Sequence, residues 1–541
     1  MSRLVSLIAI ATVVLIATAC GGTTAAAPNA GSPPASARPT AQPAAVPNPA
    51  NPKIVTRNLT FVAVDEPAHI DWTNGNPGAT TEFFRDSFND TLTWKPDAAS
   101  SQIAPRLAES WQQVAPNEWV WKLRRDVIYH NGEKWNAQAA AHNLNLAYLQ
   151  SRNHVLPAYL GYFGVQWSAD DEFTLRQKCP QACVIAPLAH TYSEVWQAPK
   201  LYDSLADPQR ARQFSGNGPY KLVIWNPGVS LKAEAFDGYW QGKPKNISEV
   251  TIVWRLEELV RAAMVRTGEA DFAVSVGMDN LRSVPKAVVG GTSEVFMLML
   301  NQRGKTPALQ DERVRRALLH AVNCQELSQA FFAGGAKCQG TIFTQSAVGN
   351  RPDIAKPMEF NLKLAQELLL EADYANRFNA TTDLAIFTRR GRVPHDVAAM
   401  ESVASAWQAI GVKARVEVVE PAVWNDKFRN FHNPALGADV VVAPTGNEVG
   451  DGARSLHYLN CNSNSASVCD PKVQELVDAA LAADAGSREQ KIYEAFKYAR
   501  DHAMLMPLFE LPVAYGAVEQ LDFTPRNDRR IRFNDQFTWL K

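Results

Sequence analysis

The chain has 541 residues, 46% of them hydrophobic and 20% charged, with 54 Lys and Arg against 55 Asp and Glu and a formal net charge of −1. That balance carries no basic surplus of the kind nucleic-acid binding needs, and the composition is that of an ordinary globular protein. The length exceeds what one hydrophobic core supports, which predicts two or three domains.

Arg3 precedes an apolar run at 4–19 that ends in small residues before Cys20. One positive charge, an apolar stretch and small residues make the pattern of a secretory signal. Ala17-Thr18-Ala19-Cys20 resembles a bacterial lipobox. In such signals the chain is cut before the cysteine, which then carries a diacylglyceryl group, and two acyl chains anchor stably where one does not. The run is short for the ~20 residues of a bilayer span, and no basic stop-transfer segment follows it. Residues 1–19 are therefore read as a signal peptide. Cys20 is read as the lipidated start of a protein held at the extracytoplasmic face of the cell membrane, in the periplasm or at the cell surface. Residues 21–53 are mostly Ala, Pro, Thr, Gly, Ser and Asn, with Arg38 and Lys53 their only charges. Such a segment buries too little apolar surface to offset chain entropy, and its prolines make it a semi-stiff tether.

Folded structure is expected from residue 54, with a first strand at 58–64 and a second, alternating one at 118–123. Asn136 is placed to cap a helix running through 139–148. Residues 311–322 carry acids in the first turn and apolar side chains at 314, 317, 318, 321 and 322 on one helical face. Residues 397–410 read as a helix ended by Gly411, with a strand at 412–419 after it. Helices at 362–372, 473–483 and 489–503 complete the set, and the alternation predicts α/β lobes.

Beyond Cys20 the cysteines are Cys179, Cys183, Cys324, Cys338, Cys461 and Cys469, an even number in an exported chain. Fifteen connectivities are open to six cysteines. The expected pairs are Cys179–Cys183, Cys324–Cys338 and Cys461–Cys469, because sequence neighbours are easily brought into range. Metal binding is the rival reading, weakened by the lack of a His at ligand spacing and by an oxidising compartment.

Catalytic signatures are missing: there is no G-x-S-x-G, H-E-x-x-H or G-x-G-x-x-G. Gly304-Lys305-Thr306 imitates the end of a phosphate loop, but Met299 stands where the first glycine belongs and Pro307 disfavours the helix that would follow, so a surface turn is expected. His130 and His142 fall in different elements and read as structural. The expectation is a protein that is no enzyme and holds no cofactor and no metal. A secreted hydrolase remains as a distant rival, since triads are spatial.

Several blocks carry a resemblance. Glu66-Pro67-Ala68-His69-Ile70-Asp71 comes first, then Pro105-Arg106-Leu107-Ala108-Glu109-Ser110-Trp111, residues 119–124 and Tyr129-His130-Asn131-Gly132. Gly216-Asn217-Gly218-Pro219-Tyr220, Asp237-Gly238-Tyr239-Trp240 with Gly242-Lys243-Pro244, Gly268-Glu269-Ala270-Asp271 and Arg313-Val314-Arg315-Arg316-Ala317-Leu318 follow in order. Together they resemble the family 5 extracellular solute-binding proteins, the dipeptide and oligopeptide receptors of ABC importers. Each block also has a plain structural reading: Trp111, Trp119 and Trp121 as core aromatics, Trp240 at a domain edge, and Gly216 and Gly218 in backbone turns.

The resemblance implies an α/β, two-lobed periplasmic-binding-protein-like fold of type II with an extra inserted domain. Lobe I would comprise 54–90, 215–290 and 508–541, the insert 91–214 and lobe II 291–507. The chain would cross between the lobes near 290 and 507. It implies a monomeric receptor that captures a short peptide in the cleft, closes on it and delivers it to ABC permease subunits. Rivals are an opine, a sugar, a metal chelate or a glycopeptide as the solute, or a sensor that transports nothing.

For the site, the resemblance points to Glu66, Ala68, His69, Thr81 and Glu82 in lobe I. In lobe II it points to Thr445, Gly446, Asn447 and Glu448, after a strand that opens at Asp439. Glu448 falls at the acidic position that would pair with a ligand ammonium. Thr445 stands where the family has Trp, and Val442 where some members carry Arg for the ligand carboxylate. Arg389, Arg390, Arg392 and Arg454 are candidates to replace it, although a cluster such as 389–392 also reads as a solvated surface.

Overall fold

The computed structural model describes residues 55–67, 85–96, 102–146, 164–192, 196–210, 212–290, 294–389, 395–431, 433, 438–446, 449–484 and 486–541. The signal, Cys20 and the tether lie outside these residues, as do Ala68, His69, Thr81, Glu82, Arg390, Arg392, Asn447 and Glu448. No described helix is long and apolar enough to cross a membrane.

Two large sheets organise the chain. The first has seven strands, in spatial order Lys286–Gly290, Val513–Ala517, Phe272–Ala273, Arg57–Ala63, Ile247–Trp254, Ser230–Ala235 and Tyr220–Asn226. Arg57–Ala63 runs parallel to both of its neighbours, and its Leu59 and Phe61 enter a core with Phe272, Tyr515 and Phe537. The second sheet has six strands: Lys337–Cys338, Met506–Glu510, Glu294–Leu300, Val440–Gly446, Leu384–Thr388 and Ala414–Val418.

All seven residues of Glu294–Leu300 are buried, because helices cover both faces of this sheet. Phe296, Leu298 and Leu300 pack with helices Glu312–His320 and Asp396–Ala409. Met297 and Met299 face Phe343, Trp424 and Phe496 on the other side. Helix ends follow local chemistry. Asp311 accepts from the Arg313 amide, and Asn136 accepts from the Ala139 amide at the start of helix Ala137–Asn145. Gly411, at φ +90°, closes the turn after Asp396–Ala409 in the left-handed region.

A third unit, between the first two strands of the seven-stranded sheet that follow one another in sequence, is a four-stranded antiparallel sheet of Ala108–Ala115, Glu118–Leu123, Thr174–Lys178 and Gln166–Asp171. Trp119, Trp121 and Leu123 alternate into its core, and Trp121 meets His190 edge to face at 5.2 Å.

The chain passes between the large sheets twice: after Gly290, and between Glu510 and Val513. The second passage comes later than the expected 507, because Met506–Glu510 pairs with Glu294–Leu300 in the six-stranded sheet. Leu511 and Pro512 make the crossing.

Gly216 and Gly218 serve close approach rather than a special turn. A Cβ on Gly218 would stand 2.4 Å from the Phe88 carbonyl carbon, and one on Gly216 2.3 Å from the Phe88 oxygen. Gly304-Lys305-Thr306 sits in an irregular turn before the short 3-10 helix Pro307–Gln310. His130 packs its ring against Phe236 and Phe214, and its Nε2 bonds the Gly218 carbonyl at 3.0 Å.

Candidate functional site

The loop that the sequence assigns to the ligand leaves the six-stranded sheet at the junction of the lobes. Strand Val440–Gly446 runs antiparallel to Glu294–Leu300, with Gly446 opposite Glu294 and Thr445 opposite Val295. Glu294, the one charged residue of its strand, accepts from the Arg529 guanidinium of the C-terminal segment. On the far side of the loop, Lys95 Nζ donates to the Val449 carbonyl at 3.1 Å. Cations from outside the six-stranded sheet thus bind Glu294, opposite Gly446, and the Val449 carbonyl.

Lys95 is buried, and burial pushes its ammonium down to about 8, with the neighbouring Asp528 carboxylate opposing that shift. Arg529 holds a left-handed backbone at φ +60°, a conformation that costs a non-glycine residue free energy and persists only where its surroundings enforce it. Beside this ion pair opens a small pocket. Gly277, Met278 and Val513 of the first lobe line it, together with Phe332 of the second and Leu511 of the crossing. Concave space at a lobe junction is where solute-binding folds place their ligands.

The segment that presents Arg529 is anchored by a seam of buried charge. Asp90 is fully buried and receives Arg106 at 2.6 Å, Trp240 Nε1 at 2.6 Å, Tyr239 at 2.9 Å and Arg532 at 3.3 Å. Burial would raise its carboxyl, but Arg106, Arg532 and the indole outweigh that and hold it below the usual carboxylate range. Asp86 is treated likewise: burial raises it, and Arg530, Arg85 and Arg532 bring it down. Arg526, Arg106 and Arg532 stack around Trp94 at 4.4, 4.8 and 5.1 Å.

Of the expected site residues that are described, Glu66 is held by two groups of its own lobe and by Arg212 at the end of the 91–214 segment. Its carboxylate accepts from Trp225 Nε1 at 2.8 Å, the Gly228 amide at 2.9 Å and Arg212 at 3.2 Å. The Thr445 hydroxyl is buried and donates to the Ile342 carbonyl at 2.5 Å. Gly446 is at the junction. Val442 is buried in the second-lobe core, and Arg389 lies over the Trp424 ring at 5.4 Å. Arg454 is buried beside His457, whose imidazole is pushed down to about 3 by burial and then by that guanidinium.

Lys95, Glu294 and Arg529 were not singled out in the sequence. A charge opening the run Glu294-Val295-Phe296-Met297-Leu298-Met299-Leu300 was the available signal for Glu294. The run Arg526 to Arg532 carries no motif that marks Arg529. Three disulfides form: Cys179–Cys183, Cys324–Cys338 and Cys461–Cys469. No metal ligands were expected, yet Glu258, Asp279 and His395 bring one donor atom each within 4.8 Å of one another.

Comparison with known proteins agrees with this architecture. A family model described as bacterial extracellular solute-binding proteins, family 5 Middle, matches residues 102–467. The chain is 29% identical over 277 residues to the glutathione-binding protein GsiB of Pectobacterium atrosepticum, covering 48% of this chain and 51% of that protein. It thus spans about half the length of the curated relatives it matches. The periplasmic binding protein DppA of Helicobacter pylori, solved with peptide STSA, superimposes with a TM-score of 0.75 at 18% identity, covering 90% of this chain and 99% of that one. NikA of Staphylococcus aureus, solved with Ni(L-His)2, gives 0.74 at 15% identity over 89% of this chain and 100% of that one. At these identities the structural likeness establishes the fold.

Proposed function

Because the chain belongs to the family 5 bacterial extracellular solute-binding proteins, which bind solutes and are not enzymes, we propose that it captures a short peptide between its two lobes and hands it to an ABC permease. The observation that carries this reading is the junction itself. Two large sheets are joined by two crossings, and the Arg529–Glu294 pair beside Gly446 and the Lys95 contact to Val449 tie the six-stranded sheet to the rest of the chain there. Closure would complete ligand contacts in that junction, and contacts present only in the closed form supply its free energy. The DppA likeness, solved with a peptide, supports the ligand class.

In this reading Glu448 meets the ligand ammonium, and Cys20 holds the receptor at the membrane, where tethering raises its concentration near the permease. Calorimetry with a library of short peptides tests it. The expected result is heat from a subset of peptides, lost on N-acetylation of the peptide and reduced in Glu448→Gln. No heat from any peptide, with heat from another solute, overturns it. Mass spectrometry of the processed N-terminus tests the lipid on Cys20.

A second reading keeps the fold and changes the solute. It is favoured by Val442 and Thr445, both buried in the second lobe where a peptide receptor would present Arg and Trp. The NikA likeness, solved with a metal chelate, points to one such solute class. The same titrations with metal–amino-acid chelates separate the two.

A further inference from the structure

Three side chains from the two lobes converge beside the junction pocket. Glu258 opens the first-lobe helix Glu258–Thr267, and Asp279 lies in the loop that follows strand Phe272–Ala273. His395 immediately precedes the second-lobe helix Asp396–Ala409. His395 Nε2 stands 3.3 Å from an Asp279 carboxylate oxygen and 3.7 Å from one of Glu258. Two donors that each sit ~2.0–2.1 Å from a tetrahedral ion are about 3.4 Å apart. Both His395 separations lie near the length of such an edge.

We propose that Glu258, Asp279 and His395 form a binding site for a borderline divalent cation, Zn2+ or a neighbour of similar preference, that bridges the two lobes. One imidazole with two carboxylates suits Zn2+, Ni2+ or Co2+; an imidazole donor is a poor choice for Ca2+ or Mg2+, which prefer oxygen throughout.

Two further features fit. First, the backbone makes room for the donors. Gly277 has φ +81°, and a Cβ there would stand 2.9 Å from a Glu258 carboxylate oxygen and 3.0 Å from one of Asp279. The two acids approach one another over a glycine that no other residue could replace without displacing them. Second, the two carboxylates and the imidazole each offer a donor atom to one small space, all within 4.8 Å of one another. Asp279 is 54% exposed, which leaves one side of the shell to water. Three protein ligands and an open position make an exchangeable site rather than a sealed structural one.

The consequence is mechanical. Two donors belong to the first lobe and one to the second, so an ion held by all three resists their separation. This goes beyond the peptide reading and does not depend on it, because the protein alone supplies the donors.

The test is Zn2+ binding to the chelator-treated, tag-free full chain without any peptide. Calorimetry is expected to show one high-affinity Zn2+ per chain in the wild type. Affinity should fall by at least about tenfold in Glu258→Gln and in His395→Ala. Small-angle scattering should show Zn2+ reducing the radius of gyration of the wild type but not of His395→Ala. Asp279→Asn, at the most exposed of the three positions, provides a variant whose fold is least at risk, and thermal melting without metal checks that each variant is folded. No stoichiometric Zn2+ binding overturns the site, and so does binding that all three variants retain. Binding lost in the carboxylate variants but unchanged in His395→Ala overturns the bridge.

Discussion

Arg529 and Glu294 form an ion pair across the lobe junction with only 8% and 10% of their side chains exposed. Each charge costs several kcal/mol to bury, and only a well-placed partner offsets that cost. The pair joins the C-terminal segment to the strand lying opposite Gly446, so it couples the position of the candidate ligand loop to the first lobe. Replacing Glu294 with Gln leaves Arg529 buried beside a neutral group. Urea unfolding at neutral pH is expected to show a loss of about 3 kcal/mol, and the double variant Glu294→Met/Arg529→Met should recover more than half of it. A single-variant loss below about 0.5 kcal/mol would mean the pair is solvated and irrelevant to the junction.

Asp90 is the acid on which the charge seam depends. Asp90→Asn keeps the side-chain shape but removes the charge facing Arg106 and Arg532, for an expected loss of about 3–5 kcal/mol in the same assay. Arg532→Met in that background should cost less than it does alone, because the guanidinium has already lost one of its two carboxylate partners and keeps only Asp535. Strict additivity would refute the coupling.

Two buried histidines make the fold acid-sensitive. His130 is pushed down to about 4, burial being the main cause, and His457 to about 3. In the unfolded chain both protonate near 6.5. Below that pH the unfolded state binds more protons than the folded one, so stability is complete above about 6.5 and falls as pH drops toward the folded values. His130 alone contributes roughly 3 kcal/mol to this fall. Melting temperatures should decline steadily from pH 7 to 4.5, and less steeply in His130→Gln. The Asp86 and Asp90 carboxylates, held low by arginines, act only in a lower window, so a flat profile between pH 7 and 5 would contradict the assignment.

Gly218→Ala places a methyl 2.4 Å from the Phe88 carbonyl carbon and 2.6 Å from the Asn89 amide nitrogen, both backbone atoms that have no easy retreat. The expected loss is about 3 kcal/mol, or failure to accumulate as folded protein. Gly486→Ala, where the nearest atom is 3.6 Å away, serves as the neutral comparison.

Local patterns were legible in the chain. The alternating Trp119 and Trp121, the capping Asn136, and Gly411 after its helix act within a strand or a turn, and the structure places each as its spacing predicts; Asp311, read as a first-turn acid, instead caps its helix. The disulfide pairs were legible for the same reason: their partners are 4, 14 and 8 residues apart. The order of the family blocks carried the two-lobed architecture.

Charge was legible only as composition. Glu66 was assigned to the site by the resemblance alone; its carboxylate accepts from Trp225 and Arg212, 159 and 146 residues away, partners that no local pattern shows. Arg530 and Arg532 are buried against Asp86 and Asp90, more than 400 residues earlier, and no local pattern announces it. Lys95 reaches Val449 across 354 positions. Backbone propensity and apolar periodicity are properties of neighbouring residues, so the sequence by itself determined the elements, the disulfides and the family. A buried charge is tolerable only opposite its partner, and the partner arrives through the fold, so the tertiary structure alone decided which charges hold the lobes together.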